Sequence, residues 1–331
     1  MYQTEKSWHG RNVLVTGCSG FLGSWLTQTL VERGAHVVGL IRDWVPDSHL
    51  TRSGTINQIR VVRGAVEDYD LVHRVLNEYE VDTIFHLAAL TIVPIAHRAP
   101  LATFETNIKG TWVLLEAARN SPLVGRVLLA SSDKAYGSQT VLPYTEEMPL
   151  LAHYPYDVSK ACAEMLASTY HHTYNLPVAV TRCANLYGGG DLNFNRLVPE
   201  VIKAALLGVR PVIRSDGSMR RDYLYVLDAA NAYLTLAERM DDLVLNGEAF
   251  NFGIDDPITV LEMTRLIISL SRHPELEPIV EDRDLKEIQD QYLCSDKAHE
   301  ILGWRPRYSL QEGLRETMDW YQDLFIQQGL L

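Results

Sequence analysis

The sequence predicts an α/β protein, a Rossmann-type doubly wound parallel sheet with a smaller C-terminal α/β substrate domain. Three observations predict it. Short β-branched apolar runs alternate with amphipathic stretches through the first half, and a glycine-rich turn closes the first of those runs. Beyond about residue 185 the texture changes: Gly and Pro become denser and the strand-like runs short and scattered. The expected strands are 12–16, 36–41, 59–63, 82–87, 125–131 and 177–183, separated by helical stretches such as 23–33, 69–79, 103–120 and 156–174. Right-handed crossovers then make the doubly wound sheet the economical topology. With 331 residues the chain exceeds the usual size of one core, so a dinucleotide-binding domain over 1–180 and a substrate domain over 181–331, with interleaved boundaries, are expected.

Composition narrows the function class. The chain is 47% hydrophobic and 22% charged, without low-complexity tracts, and its formal net charge is -12. That balance argues against nucleic acid or an anionic membrane as partner. An anionic ligand would need a local cluster of arginines or helix N-termini. Residues 1–12 are polar with no apolar core of a signal peptide, and no apolar run nears the roughly 20 residues that span a bilayer. Cys18, Cys162, Cys183 and Cys294 are widely spaced and form no CxxC pair, which predicts reduced thiols in a cytoplasmic protein and no metal site.

The first strand, Val13-Leu14-Val15-Thr16, runs directly into Gly17-Cys18-Ser19-Gly20-Phe21-Leu22-Gly23 and then a helix. The first glycine permits a tight turn, the second lets backbone amides approach a pyrophosphate, and the third lets helix pack on strand. The helix N-terminus adds N–H groups and partial positive charge. Gly17, Ser19, Gly20, Phe21, Leu22 and Gly23 are therefore candidate dinucleotide ligands. At the end of the second strand, Arg42 suits the 2′-phosphate of NADP and Asp43 the ribose hydroxyl of NAD. The reading favours NAD and leaves NADP open.

Tyr156-Asp157-Val158-Ser159-Lys160 places a phenol and an ammonium four residues apart on one helix face. Lowering a tyrosine pKa by about three units takes about 4 kcal/mol. One positive charge at ~4 Å and an effective dielectric of ~20 supplies about as much. Lys160 and a cationic nicotinamide together are thus expected to activate Tyr156. The buried run 128–130 ends in Ser131-Ser132-Asp133-Lys134, placing hydroxyl, carboxyl and ammonium at the sheet's carboxyl edge, where open α/β sheets bind ligands.

With GxxGxxG, YxxxK and the serine in this order, the chain resembles the extended short-chain dehydrogenases/reductases, specifically the NAD-dependent epimerase/dehydratase family, from about Gly10 to Tyr321. The resemblance implies that Ser132 holds the sugar 4-hydroxyl, Tyr156 removes its proton and C4 gives its hydride to the cofactor. Epimerases of this branch usually carry small or neutral residues after that serine, whereas 4,6-dehydratases carry Thr-Asp-Glu or Thr-Asp-Lys. Asp133 is then the acid for the C6 oxygen, and Lys134 the base or charge partner, the base assignment staying open. A 4,6-dehydratase is expected; a 4-epimerase or 4-keto reductase is the alternative. The Trp8-x-Gly10 opening, Ser132-Asp133-Lys134, residues 188–191 and Tyr292-Leu293 are most similar to CDP-glucose 4,6-dehydratases.

The resemblance implies further contacts. Leu87-Ala88-Ala89 resembles the small-residue turn past which the nicotinamide end lies, and Asn107 an asparagine that braces the site. In Gly64-Ala65-Val66-Glu67-Asp68, Ala65 stands where an adenine-binding acid is usual, which weakens the contact or leaves it to the Val66 backbone. Asn185 resembles a sugar or diphosphate ligand, and Arg196-Leu197 part of a segment wrapping the nucleotide base. Arg214, Arg220 and Arg221 gather three arginines in an acidic chain, with Arg214 and Arg221 taken as diphosphate ligands. The family often has an arginine near Gln289–Gln291, and this chain has none. The expected partners are a nucleotide-diphosphate sugar and a second copy of the chain, paired through 103–120 and 156–174, where Leu115, Met165 and Tyr170 extend the apolar faces.

Overall fold

The computed structural model describes residues 8–241, 245–283 and 288–331; of the N-terminal segment, residues 1–7 lie outside them. Seven parallel strands form one sheet: β1 Asn12–Thr16, β2 His36–Ile41, β3 Arg60–Arg63, β4 Thr83–His86, β5 Arg126–Ala130, β6 Val178–Cys183 and β7 Ala249–Phe252. Their order is β7-β6-β5-β4-β1-β2-β3. The first six fall where the β-branched runs predict them. The seventh comes from the C-terminal half and pairs with β6 in the register Ala249↔Val180 to Phe252↔Cys183. Four residues with two aromatics and an asparagine carry too little β-branched signal to be read as a sheet strand.

Alternation along the strands divides the core. Val13 and Val15 face one side with Phe85 and Leu128, where α1 (Phe21–Glu32) and α6 (Val226–Arg239) cover the sheet. Leu14, Ile84, Val127 and Leu129 face the other, under α2 (Tyr69–Glu78), α3 (Gly110–Arg119) and α4 (Pro155–Tyr174). Burial on both faces is what a parallel sheet requires. Leu115 is fully buried on this second side and Tyr170 packs partly against it, its hydroxyl bonded to Glu116. Only Met165, at 67% exposure, presents the outward apolar surface expected of the three.

A third core is built from the C-terminal part by α5 (Leu197–Leu206), α7 (Val260–Leu270) and α8 (Leu310–Gln327). The stretch 103–120 is not one regular helix: a π-helical turn, Glu105–Lys109, precedes α3. The extra residue in that turn turns Asn107 inward, where its amide spans Leu90 N (2.8 Å), Leu90 O (3.2 Å) and Ser159 Oγ (2.9 Å). No helix among the described residues is long and apolar enough to cross a membrane.

Gly17 takes φ +73°, and a Cβ there would lie 2.8 Å from Ala88 N, so the turn after β1 and the turn after β4 fit only without a side chain. Gly23 is tighter: a Cβ would sit 2.1 Å from Gly17 O. We expect Gly23→Ala to destabilise the fold by about 1–3 kcal/mol, as overpacking does. A lowered urea midpoint with an unchanged slope measures it.

Candidate active site

The carboxyl ends of β1 to β6 converge on one cavity of about 680 Å³. Strand order reverses between β1 and β4, which places the cleft at the topological switch point. Gly17, Ser19, Gly20, Phe21, Leu22, Gly23, Arg42, Asp43, Val66, Leu87, Ala88 and Ala89 line one part of it. Ser132, Asp133, Lys134, Tyr156, Lys160, Asn185, Arg196, Leu197 and Arg221 line the rest. The amide-rich start of α1, which has no side-chain cap, faces this space and suits a pyrophosphate. Arg214 is the exception: it lies outside the lining and pairs with Glu200 at 3.0 Å. Strand Val212–Ile213 runs beside Ile279–Val280 and carries Arg214 away from the cleft, which spacing in the sequence could not show.

Chemistry concentrates after β5. Ser132 caps the short turn Asp133–Tyr136, accepting from Lys134 N, and donates its hydroxyl to Asp133 Oδ1 at 2.9 Å. Asp133 is only 3% exposed. Burial pushes its carboxyl above the usual range, against the pull of Lys134 and the Ser132 hydrogen bond. Pro155 opens α4, so Tyr156 enters the cavity from its first turn. Its phenol is pushed up to about 12, chiefly by burial; Arg196 opposes, Asp133 adds to the rise, and a Ser132 hydrogen bond lowers it.

Lys160 lies beside Tyr156. Its Nζ donates to Ala130 O at 2.7 Å and stands 6.0 Å from the centre of the Tyr156 ring. Burial draws it down to about 8, with Glu164 opposing. A second cation, Arg196, also favours the phenolate, and its guanidinium is held 2.9 Å from buried Asp191. Helical spacing reveals the Tyr156–Lys160 pair but not an arginine forty residues away.

Neighbouring groups hold this arrangement. Asn185 N donates to Asp222 O, locking strand Asn185–Tyr187 to Tyr223–Tyr225. Arg221 reaches the cavity while donating to Ile288 O (2.6 Å) and Gln289 O (2.8 Å). Gln291, in the segment where the family often has an arginine, is buried and accepts from Lys134 Nζ at 3.4 Å. His86 is a core residue, bonded to Thr16 (2.8 Å) and Thr111 (3.2 Å).

Behind Ser131, the carboxylate of Glu164 accepts the Ser131 hydroxyl and a forked pair from Arg182 at 2.7–3.1 Å. Both partners are under 10% exposed. Glu164→Ala strands a buried guanidinium, so a loss of about 3–5 kcal/mol is expected on chemical unfolding. Asp191, Glu164 and Arg182 were not singled out from the sequence. Glu164 lies one turn beyond Lys160, on the face already recognised, and that spacing was the available signal.

Residues 14–317 match the family described as GDP-mannose 4,6 dehydratase. The chain is 30% identical to a CDP-glucose 4,6-dehydratase of Salmonella typhimurium, over 95% of this chain and 91% of that protein. It is 33% identical to a dTDP-glucose 4,6-dehydratase of Streptomyces antibioticus, over 94% and 92%. Among solved structures it superposes on a Bacillus anthracis dTDP-glucose 4,6-dehydratase in complex with NAD, with TM-score 0.84, 28% identity and coverage of 97% and 100%. It superposes equally well on a Thermotoga maritima UDP-glucose 4-epimerase with UDP-glucose, with TM-score 0.86, 29% identity and coverage of 95% and 99%. The match over 14–317 and these full-length similarities place the chain in the GDP-mannose 4,6 dehydratase family, within the short-chain dehydrogenase/reductase type that its glycine spacing and YxxxK pair resemble.

Proposed function

We propose that the protein is a nucleotide-sugar 4,6-dehydratase that makes a 4-keto-6-deoxy sugar by internal hydride transfer. The observation that carries this reading is Asp133, a carboxyl buried at the cavity wall beside Ser132 and Tyr156. Dehydratase and epimerase neighbours share the fold, so the fold does not choose between them. Burial shifts this carboxyl toward its protonated form, the direction that a general acid at a C6 hydroxyl requires and C4 epimerisation does not.

The cleft fits NAD. The glycine turn and the start of α1 supply amides for the pyrophosphate, Asp43 an acceptor for the ribose, and the 87–89 turn a narrow passage toward Tyr156. Arg42, at the place suited to a 2′-phosphate, gives its Nε to Asp43 at 2.7 Å. Bound at this place, the cofactor would take a hydride from C4 and return it to C6. The chain's own groups handle the protons. Ser132 holds the C4 hydroxyl and Tyr156 Oη removes its proton, with Arg196 stabilising the phenolate. Asp133 protonates the departing C6 oxygen. Lys134, held by Gln291 at the edge of the cavity, is positioned as the base at C5 or as charge partner to Asp133; the proton taken from C5 returns to C5 when hydride reaches C6, so that water alone is lost. Arg196, Arg221, Asn185 and Leu197 are assigned to the nucleotide diphosphate.

The remaining readings rest on lesser observations. Residues 181–331 serve as the substrate-binding part, apart from β7 and α6, which complete the dinucleotide-binding sheet. Exposed Leu101, Trp112 and Met165 on neighbouring helices support a homodimer, and four free cysteines support a cytoplasmic setting.

The test is incubation with CDP-, dTDP-, UDP- and GDP-hexoses followed by mass spectrometry of the sugar nucleotides. A product lighter by one water from at least one of them is expected. Only isomers of unchanged mass, or no product from any of the four, would overturn the reading.

A further inference from the structure

The far end of the cleft holds a carboxylate that the reaction does not use. Glu67 follows β3, the strand beyond β2, and lines the cavity with Leu40, Val45, Gly64, Val66 and Thr106. One carboxylate oxygen, Oε1, accepts the Thr106 hydroxyl at 2.6 Å. The other, Oε2, is shielded from solvent and has no hydrogen-bond partner among the described residues. A shielded carboxylate oxygen without a donor is costly, and native structures keep few of them without reason. Its missing partner has to be a donor, because an ionised carboxylate only accepts.

Position identifies that donor. With the pyrophosphate on the turn after β1, a dinucleotide extends one way over β4 and β5 to Tyr156. Its other half would then run over β2, past Asp43, toward β3, the strands that follow on that side. The apolar side chains of Leu40, Val45 and Val66 offer flat walls, and Glu67 stands at their edge. A hydrogen-bonded chain runs along this rim: Arg42 Nη1 donates to Thr106 Oγ1 at 3.4 Å, and Thr106 donates to Glu67. It fixes the Glu67 rotamer with Oε2 left over.

We propose that Glu67 reads the purine of the bound dinucleotide, its Oε2 accepting the 6-amino group of adenine. This rests on the dinucleotide reading of the cleft and deepens it. It also relocates the acid: Ala65 occupies the place where one is usual, and Glu67, two residues later, supplies the carboxylate. A base with a 6-carbonyl in place of the 6-amino group would set two acceptors against each other.

The experiment is competition between NAD and nicotinamide hypoxanthine dinucleotide, which has a 6-carbonyl and an N1–H where adenine has a 6-amino group and an N1 acceptor; the Glu67 variants isolate the part of the preference that the carboxylate sets. The purified protein is dialysed to equilibrium against an equimolar mixture, and the bound dinucleotides are released and quantified by chromatography. Loss of a buried hydrogen bond that leaves an unpaired carboxylate predicts a preference for adenine of about 5- to 150-fold. Glu67→Ala should bring the ratio close to one. Glu67→Gln, which can turn an N–H toward the 6-carbonyl, should bring it to one or reverse it. A wild-type ratio near one, or a preference unchanged in Glu67→Ala, would overturn the proposal while leaving the dinucleotide site standing. Retention of neither dinucleotide by the wild type would overturn both.

Discussion

Asp133→Asn is expected to lower the rate of dehydration by about 10²–10⁴-fold while C4 oxidation continues. The asparagine keeps the shape and an oxygen to accept the Ser132 hydroxyl, so the turn Asp133–Tyr136 survives. What it loses is an acidic proton. In the native protein burial raises the Asp133 pKa, and Lys134, Ser132 and Arg221 restrain but do not reverse the rise. Burial thus favours the protonated form of the carboxyl placed where a C6 oxygen would leave. Product analysis checks this: the variant should accumulate C4-oxidised or C4-inverted sugar that keeps its C6 hydroxyl. Undiminished loss of water in Asp133→Asn would show that Asp133 only shapes the turn.

Tyr156→Phe should act earlier and on everything downstream. Removing the phenol takes away the acceptor of the C4 hydroxyl proton, so both oxidation and elimination should fall by about 10²–10⁴-fold, with dinucleotide retention unchanged. The phenol stands near 12 in the cleft, which leaves it protonated at neutral pH until charge arrives. Arg196 is a neighbour that favours the phenolate, and buried Asp191 fixes it there. Arg196→Ala is accordingly expected to move the acidic limb of the pH–activity profile toward higher pH. An effect confined to KM, with the limb unmoved, would restrict Arg196 to binding the nucleotide.

Most of the sheet and the cofactor turn were legible because their signals are local. Strands β1 to β6 are β-branched runs, and Gly17, Gly20 and Gly23 announce a backbone that side chains would obstruct. Tyr156 and Lys160 share a helix face, which fixes their proximity without any tertiary information. The contents of the cleft beyond them depended on long-range placement. Strand β7 joins the sheet from more than sixty residues beyond β6, and its short, mixed sequence gains stability from its neighbours. Arg214 and Arg221 look equivalent in the chain, yet one pairs with Glu200 on the surface and the other reaches the cavity. Lys160 was expected to act directly on the phenol. Lys160 Nζ bonds the Ala130 carbonyl and stands 6.0 Å from the centre of the Tyr156 ring, and Arg196 is a second cation near the phenol, which no i,i+4 spacing encodes. Leu115 illustrates the same limit, since a helix with apolar residues on two sides does not say which side meets the sheet.

The most direct measurement follows the hydrogen on C4. A nucleotide hexose accepted by the enzyme, deuterated at that carbon, is converted and the product examined by mass spectrometry and NMR. Internal transfer followed by dehydration predicts a 4-keto-6-deoxy sugar, lighter by one water, with deuterium in its C6 methyl group. Deuterium retained at C4 in a sugar of unchanged mass would contradict the account and make the protein an epimerase.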